Sequence, residues 1–229
     1  MPEIIDERYI SKSLNLKGEK NIVAIPSTIF FSSQPLSYSP IRSIYSPEER
    51  LVQLGKSINS CREKIKDCYI ILLESSDIQS AQIPNFHQLN LAISFSHNKK
   101  LQKLANGPHK GAAEIFMLRR LARLLTNFDF DYFHKLSGRY FLNNAYQKIM
   151  TKKYVFVVSG GHLSSRYYIV PKSLFSHYKR MLSFAYLFSL MGFSIETVFT
   201  KIIPQSKINC VKEIGLSGNI AVDGTIISE

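Results

Sequence analysis

Two carboxylates and two serines end an apolar run in the segment Tyr69-Ile-Ile-Leu-Leu-Glu74-Ser-Ser76-Asp77. The run is β-branched at its start and reads as a strand buried on both faces, as in a parallel sheet. Ligands of open α/β sheets sit beyond the carboxyl ends of the strands, so Glu74, Ser76 and Asp77 are expected at a binding edge. A carboxylate there accepts from a base N–H or a ribose hydroxyl, and serines add small polar contacts. Taken alone, the same residues also fit an ordinary polar loop. A second cluster, Ser137-Gly138-Arg139-Tyr140, follows a strand expected over Asp131–Leu136. Gly138 lets backbone approach a ligand, and Arg139 offers a planar fork for phosphate. A tight turn with a solvated arginine has the same composition. Lys110-Gly111 opens a helix, where unpaired N–H groups and partial positive charge suit an anion; a solvent-facing lysine in a Gly-Pro loop fits equally. Arg42 precedes a capped helix and is placed to reach the same rim. Arg50 lies in that helix's first turn, where its charge opposes the dipole, a local cost that points weakly to a packing or functional reason.

Other chemistries lack their patterns. The 6 histidines are scattered, without H-x-x-x-H or H-E-x-x-H, and there is neither a G-x-S-x-G elbow nor a Walker A loop. Cys61, Cys68 and Cys210 are odd in number with no C-x-x-C, so a disulfide framework and a cysteine zinc site are not indicated, and a reducing compartment fits best. The one D-x-D, Asp129-Phe130-Asp131, precedes its strand instead of following it, and reads as loop.

The elements that must position these residues are legible. Asn21-Ile-Val-Ala-Ile-Pro26 reads as a strand ending at Pro26-Ser27, and a long connection with Pro35 and Pro40 follows. Ser46-Pro47-Glu48-Glu49 is a capping box with proline at the first helical position, and Leu51, Leu54, Ile58, Cys61 and Ile65 continue an apolar stripe. Strand, helix and strand make a right-handed βαβ unit. Further strands are expected at Leu89–Phe95 and Lys153–Val158, and helices at about 112–125 and 172–193. Short strands about a turn at Asp223-Gly224 close the chain. The alternation argues for an α/β sandwich around a mostly parallel sheet.

The chain has 229 residues, 45% of them hydrophobic, enough for a substantial core. Its net charge of +12 favours anionic partners: nucleic acid, phosphorylated small molecules or an acidic membrane surface. The lysine and arginine clusters carry too little aromatic interleaving for a nucleic-acid platform; Arg166-Tyr167-Tyr168 comes nearest. Met1 to Arg8 is acidic without an apolar core and is not expected to be a secretory signal. The uncharged stretch Met181–Ile195 is too short to span a bilayer and reads as a buried helix in preference to a membrane-surface segment.

The order of these segments resembles GT-A-type glycosyltransferases, and more narrowly a little-characterised branch of microbial and viral sugar transferases. The strand ending at Pro26-Ser27 resembles their first strand, which flanks the nucleoside. Glu74-Ser-Ser76-Asp77 is similar to their acidic-Ser-x-Asp ending, whose acid contacts the base. Gly107 to Glu114 resembles their small-residue helix start near the donor sugar, and Tyr132–Tyr140 stands where they carry D-x-D. The resemblance covers roughly residues 20–200. It implies a single-domain, GT-A-like (Rossmann-like) α/β sandwich over 21–229, with a nucleotide half at about 21–143, an acceptor half at about 144–229, and an extension at 1–20.

The implied activity is transfer of a sugar from a nucleotide-sugar donor to a glycan or lipid-linked acceptor, in the cytoplasm or at the periphery of an anionic membrane, with no nucleic-acid partner. Pro26, Ser27, Arg42, Glu74, Ser76, Asp77, Lys110, Gly111 and Ser137 to Tyr140 are then donor-binding candidates. One departure stands out: Ser-Gly-Arg replaces D-x-D, which puts a manganese or magnesium cofactor in doubt and leaves Arg139 and Lys110 to neutralise the diphosphate. An inverting transferase needs a base near the acceptor hydroxyl, and Glu196 is the candidate, with His162 and Asp223 as rivals. Arg166 and Tyr168 are expected to line the acceptor side. A catalytically inactive nucleotide-sugar or glycan-binding domain and a basic nucleic-acid-binding protein remain as alternatives.

Overall fold

The computed structural model describes residues 2–16 and 18–229; Met1 and Lys17, both within the expected extension 1–20, lie outside the described residues. The chain begins with β1 (Ile4–Asp6), α1 (Ile10–Ser13) and β2 (Asn21–Ser27). It continues through α2 (Pro47–Lys64), β3 (Cys68–Glu74), β4 (Leu91–Ser94), α3 (Lys99–Asn106) and α4 (Lys110–Leu125). Then come β5 (Tyr132–Leu136), β6 (Tyr140–Leu142), β7 (Tyr154–Ser159) and β8 (His162–Pro171). The last elements are α5 (Phe175–Leu190), α6 (Ile195–Ile202), β9 (Ile208–Val211), β10 (Leu216–Asn219) and β11 (Ile226–Ser228).

Eight strands form the main sheet in the order β1-β4-β3-β2-β5-β8-β7-β9. From β1 to β5 every neighbour is parallel, β8 runs antiparallel to both β5 and β7, and β9 is parallel to β7. A small antiparallel sheet, β11-β10-β6, lies apart. The mostly parallel α/β expectation is met. The long antiparallel strand β8 and the helix α3 are additions that sequence patterning did not show. Residues 4–6 pair with β4, so part of the stretch expected to be an extension supplies an edge strand.

Side-chain alternation divides the core in two. Ile22 and Ala24 of β2, with Tyr69, Ile71 and Leu73 of β3, face the layer built by α3, α4, α5 and α6. Val23, Ile25, Ile70 and Leu72 face α2 and the small sheet. Burial of each such valine, leucine or isoleucine contributes roughly 1.5–3 kcal/mol. The α2 capping box forms as expected: Glu49 N donates to Ser46 Oγ at 3.2 Å and Ser46 N to Glu49 Oε2 at 2.8 Å. Among the described residues no helix is long and apolar enough to cross a membrane.

Candidate functional site

The strand order reverses at β2. From it the chain moves through β3 and β4 to one side, then returns to place β5 on the other. That reversal opens a crevice beyond the carboxyl ends of β2 and β5, the place where open α/β sheets receive ligands. A cavity of about 580 Å³ occupies it. Pro26 and Ser27 at the end of β2 and Ser137 to Tyr140 beyond β5 line one side, and Lys110 and Gly111 at the start of α4 line another. Gly138 N donates to Pro26 O at 3.2 Å. A Cβ on Gly138 would stand 3.2 Å from Leu54 and 3.3 Å from Ser27, so the close approach of the loop to β2 leaves a larger residue room only if those side chains shift.

Positive charge dominates the cavity wall. Arg42, Arg50, Lys110, Arg139 and Arg166 all line it, against the carboxylates of Glu114 and Glu196. Two of these cations are already engaged. Arg42 donates to the carbonyls of Gln34, Ala105, Asn106 and Gly107, so it clips the long connection onto the C-terminal end of α3, where its charge suits the helix dipole. Arg166 pairs with Glu229. Arg50, Lys110 and Arg139 form no ion pair among the described residues. Arg50 lies over the Phe31 ring at 4.4 Å, and its buried Nε has no hydrogen-bond partner. Burial first, then the neighbouring Arg139, pulls its guanidinium down to about 9. The same causes, with Arg50 and Arg42 added, pull the Lys110 ammonium from 10.5 down to about 7; Glu114 opposes them. Cations that crowd one another while partly desolvated create a strong preference for an anion between them.

The Lys110 shift has a measurable consequence. Between about pH 7 and its ordinary value of 10.5, the unfolded chain holds a proton there that the folded chain has released. Stability of the ligand-free protein therefore gains a rising contribution across that window, and the penalty is fully present below it. An anion bound beside Lys110 favours its charged form, so at pH 8 binding draws a proton from solvent onto the Lys110 amine. Calorimetric titration with a nucleoside diphosphate at pH 8, in buffers of different ionisation enthalpy, should show an uptake that Lys110→Met abolishes. Equal uptake by wild type and variant would assign the proton to another group.

The carboxylates occupy defined positions. Lys135, fully buried, donates to Glu114 Oε1 at 2.6 Å, to Ser137 Oγ at 2.6 Å and to the Ser165 carbonyl. Glu114 is thus a floor residue of the cavity that the sequence did not announce; the signal was its spacing of one turn from Lys110. Glu196, in the first turn of α6, faces the cavity and accepts from Ser165 Oγ.

Several expected site residues stand elsewhere. Glu74 and Ser76 are buried behind the wall: Glu74 Oε1 accepts from Ser76 N at 2.7 Å and from Ile29 N at 3.2 Å, and Ser76 Oγ accepts from Phe30 N at 2.8 Å. They brace the loop that leaves β2 and do not line the cavity, because that loop folds over the end of β3. Asp77 is exposed outside it. Tyr168 is a core residue whose hydroxyl meets that of Tyr178 at 2.8 Å, and His162 is exposed at the β7–β8 turn. Asp223 is exposed and accepts from Thr225 N. Asp129 and Asp131 lie before β5, at the opposite edge of the sheet. Glu74→Ala leaves two buried N–H groups unpaired and should lower unfolding free energy by about 1–3 kcal/mol. Asp129→Ala should change it by less than about 0.5 kcal/mol. Urea denaturation distinguishes them; equal small effects would show the brace to be dispensable.

Where D-x-D would stand, the donors are a serine hydroxyl bound to Lys135, a glycine and a guanidinium. Among the described residues no group of three or more His, Cys, Asp or Glu side chains could hold a metal ion. This donor set does not fit a divalent cation.

Fold and cavity together define an α/β protein with an anion-receptive cleft at its topological switch point. No family model matches the sequence, and no curated protein does. Solved structures with a similar fold are glycosyltransferases. GlyE of Streptococcus pneumoniae TIGR4 is 8% identical with a TM-score of 0.49, over 84% of this chain and 45% of its own. A glycosyltransferase involved in glycosylation of the major capsid of PBCV-1 is 9% identical with a TM-score of 0.49, over 90% of this chain and 93% of its own. The chain thus spans less than half of the pneumococcal protein. At these values the likeness is one of chain trace and carries nothing further.

Proposed function

We propose that this protein is a glycosyltransferase that takes its sugar from a nucleotide-sugar donor. One observation carries the reading: Arg50, Lys110 and Arg139, none in an ion pair among the described residues, share a cavity with the carboxylate of Glu196. The diphosphate sits among the three cations, with the nucleoside toward Pro26, Ser27 and Phe31. Glu196 takes the proton of an acceptor hydroxyl as its oxygen bonds to the anomeric carbon. The bond from that carbon to the diphosphate breaks, and the departing charge is met by Arg139 and Lys110, without a metal ion.

A thermal-shift screen with nucleoside diphosphates and nucleotide-sugars, with and without manganese, tests the donor class. A ligand at a hundredfold excess over its Kd adds about 2.7 kcal/mol to apparent stability. Stabilisation by a nucleoside diphosphate, little affected by manganese and far greater than by duplex DNA, is expected. Salt-sensitive stabilisation by DNA with no nucleotide effect would replace this reading with nucleic-acid binding. Donor binding without transfer to any acceptor would leave a binding domain.

A further inference from the structure

α5 carries apolar residues on two faces. One face is buried through Tyr178, Met181, Leu182 and Ala185. The other presents Phe184, Leu187 and Phe188 to solvent, spaced i, i+3 and i+4 as one helical stripe, and exposed Met191, just past the end of α5, continues its line. Phe184 is 56% exposed, Leu187 58% and Met191 70%. Leu190 and Phe193 extend the stripe, and Phe193 stands edge-on to Phe188 with ring centroids 5.9 Å apart. A contiguous apolar surface of this kind marks an interaction site.

The surroundings of the stripe specify the partner. α4 packs against both α3 and α5, so the three helices form one layer. Its outer surface carries Lys100, Lys103, Arg123 and Arg180, all exposed. Lys100 and Arg119 reach the Tyr186 ring on α5, at 5.7 and 4.9 Å. Over Lys99–Leu125 and Lys172–Ile195 the one carboxylate is Glu114, which is paired with Lys135 on the cavity floor. An apolar stripe with a cationic border matches the interfacial region of a bilayer, acyl chains below and anionic headgroups around. A second copy of this chain, itself at +12, would set arginine against arginine. We infer that the α5 stripe docks this protein onto an anionic membrane surface.

The stripe runs directly into the cavity wall, because Gly192, Phe193 and Ser194 line the cavity. Docking there turns the Glu196 side of the cavity toward the headgroups, which makes a lipid-borne acceptor the chemistry within reach. That last step rests on the proposed transfer activity; membrane docking does not.

Flotation of the full chain with vesicles tests the surface. Binding to vesicles of about one-third phosphatidylglycerol should exceed binding to phosphatidylcholine alone by about tenfold or more. Leu187→Glu and Met191→Glu should each remove it, and Arg123→Glu should weaken it. Ile226→Glu, at an exposed apolar position on β11, should bind as wild type does. Melts followed by circular dichroism establish that each variant folds, and Met191 lies beyond the last turn of α5, where a charge leaves the helix intact. Equal binding to both vesicle types, or full binding by Leu187→Glu, overturns the inference. So does a sedimenting dimer that Leu187→Glu dissolves while vesicles are ignored, since the stripe would then join two copies. Vesicle binding with no thermal response to any nucleotide would keep the surface and reject the transferase reading.

Discussion

Glu196→Gln is expected to lower turnover by about a hundred- to ten-thousandfold while donor affinity stays nearly unchanged. The amide keeps the shape of the carboxylate and can still bond Ser165 Oγ, but it cannot take a proton from the acceptor hydroxyl. The side chain lies on α6 and, among the described residues, pairs with none of the three cations, so its loss should leave the diphosphate contacts in place. Steady-state kinetics with a saturating nucleotide-sugar, beside calorimetric binding of the nucleoside diphosphate, separate the two effects. A variant that turns over like wild type would remove Glu196 from the chemistry. Loss of donor binding with turnover lost in proportion would make it a donor ligand instead of a base.

Arg139→Ala should cost about a hundred- to a thousandfold in turnover, the usual effect of deleting one donor to a developing anion. Arg139→Lys should recover little of this, since an ammonium is a point charge and cannot reproduce a bidentate fork. Removal of Arg139 also relieves Lys110, on which it is the leading charge acting to lower the ammonium. The Lys110 ammonium of the variant should therefore titrate nearer its ordinary value, and proton uptake on binding a diphosphate at pH 8 should shrink. Chelation of divalent ions should leave the wild-type rate nearly unchanged. Abolition of activity by chelation, with Arg139→Lys still active, would demand a metal site made by other residues and discard the cationic clamp.

Much of this site was readable because its signals are local. The capping box of α2 and the apolar run of β3 are matters of a few adjacent residues, and both formed where the sequence placed them. The same holds for Lys110 at a helix start and for Ser137-Gly138-Arg139 after a strand, both of which line the cavity. Arg50 carries its charge at the unfavourable end of a helix, and its place on the cavity wall supplies a reason. Glu196 stands out as a lone carboxylate after a long uncharged stretch, and it too faces the cavity.

What the sequence left open depended on contacts between distant segments. A strand's end does not say whether the next loop exposes or covers its last side chain, and the loop after β2 covers Glu74. β8 mixes Ser164, Ser165 and Arg166 with apolar residues, so its pattern is legible only once β5 and β7 flank it. Glu114 becomes a site residue because β5 inserts beside β2 and brings Lys135 beneath α4. The uncharged run Met181–Ile195 read as a buried helix, yet a helix buries only the faces that neighbours cover. Local sequence therefore determined the elements and most of the charged groups, by capping, periodicity and isolated charge. Tertiary structure decided which groups meet and which apolar face stays bare, because strand order and helix packing are set by pairings far apart in the chain.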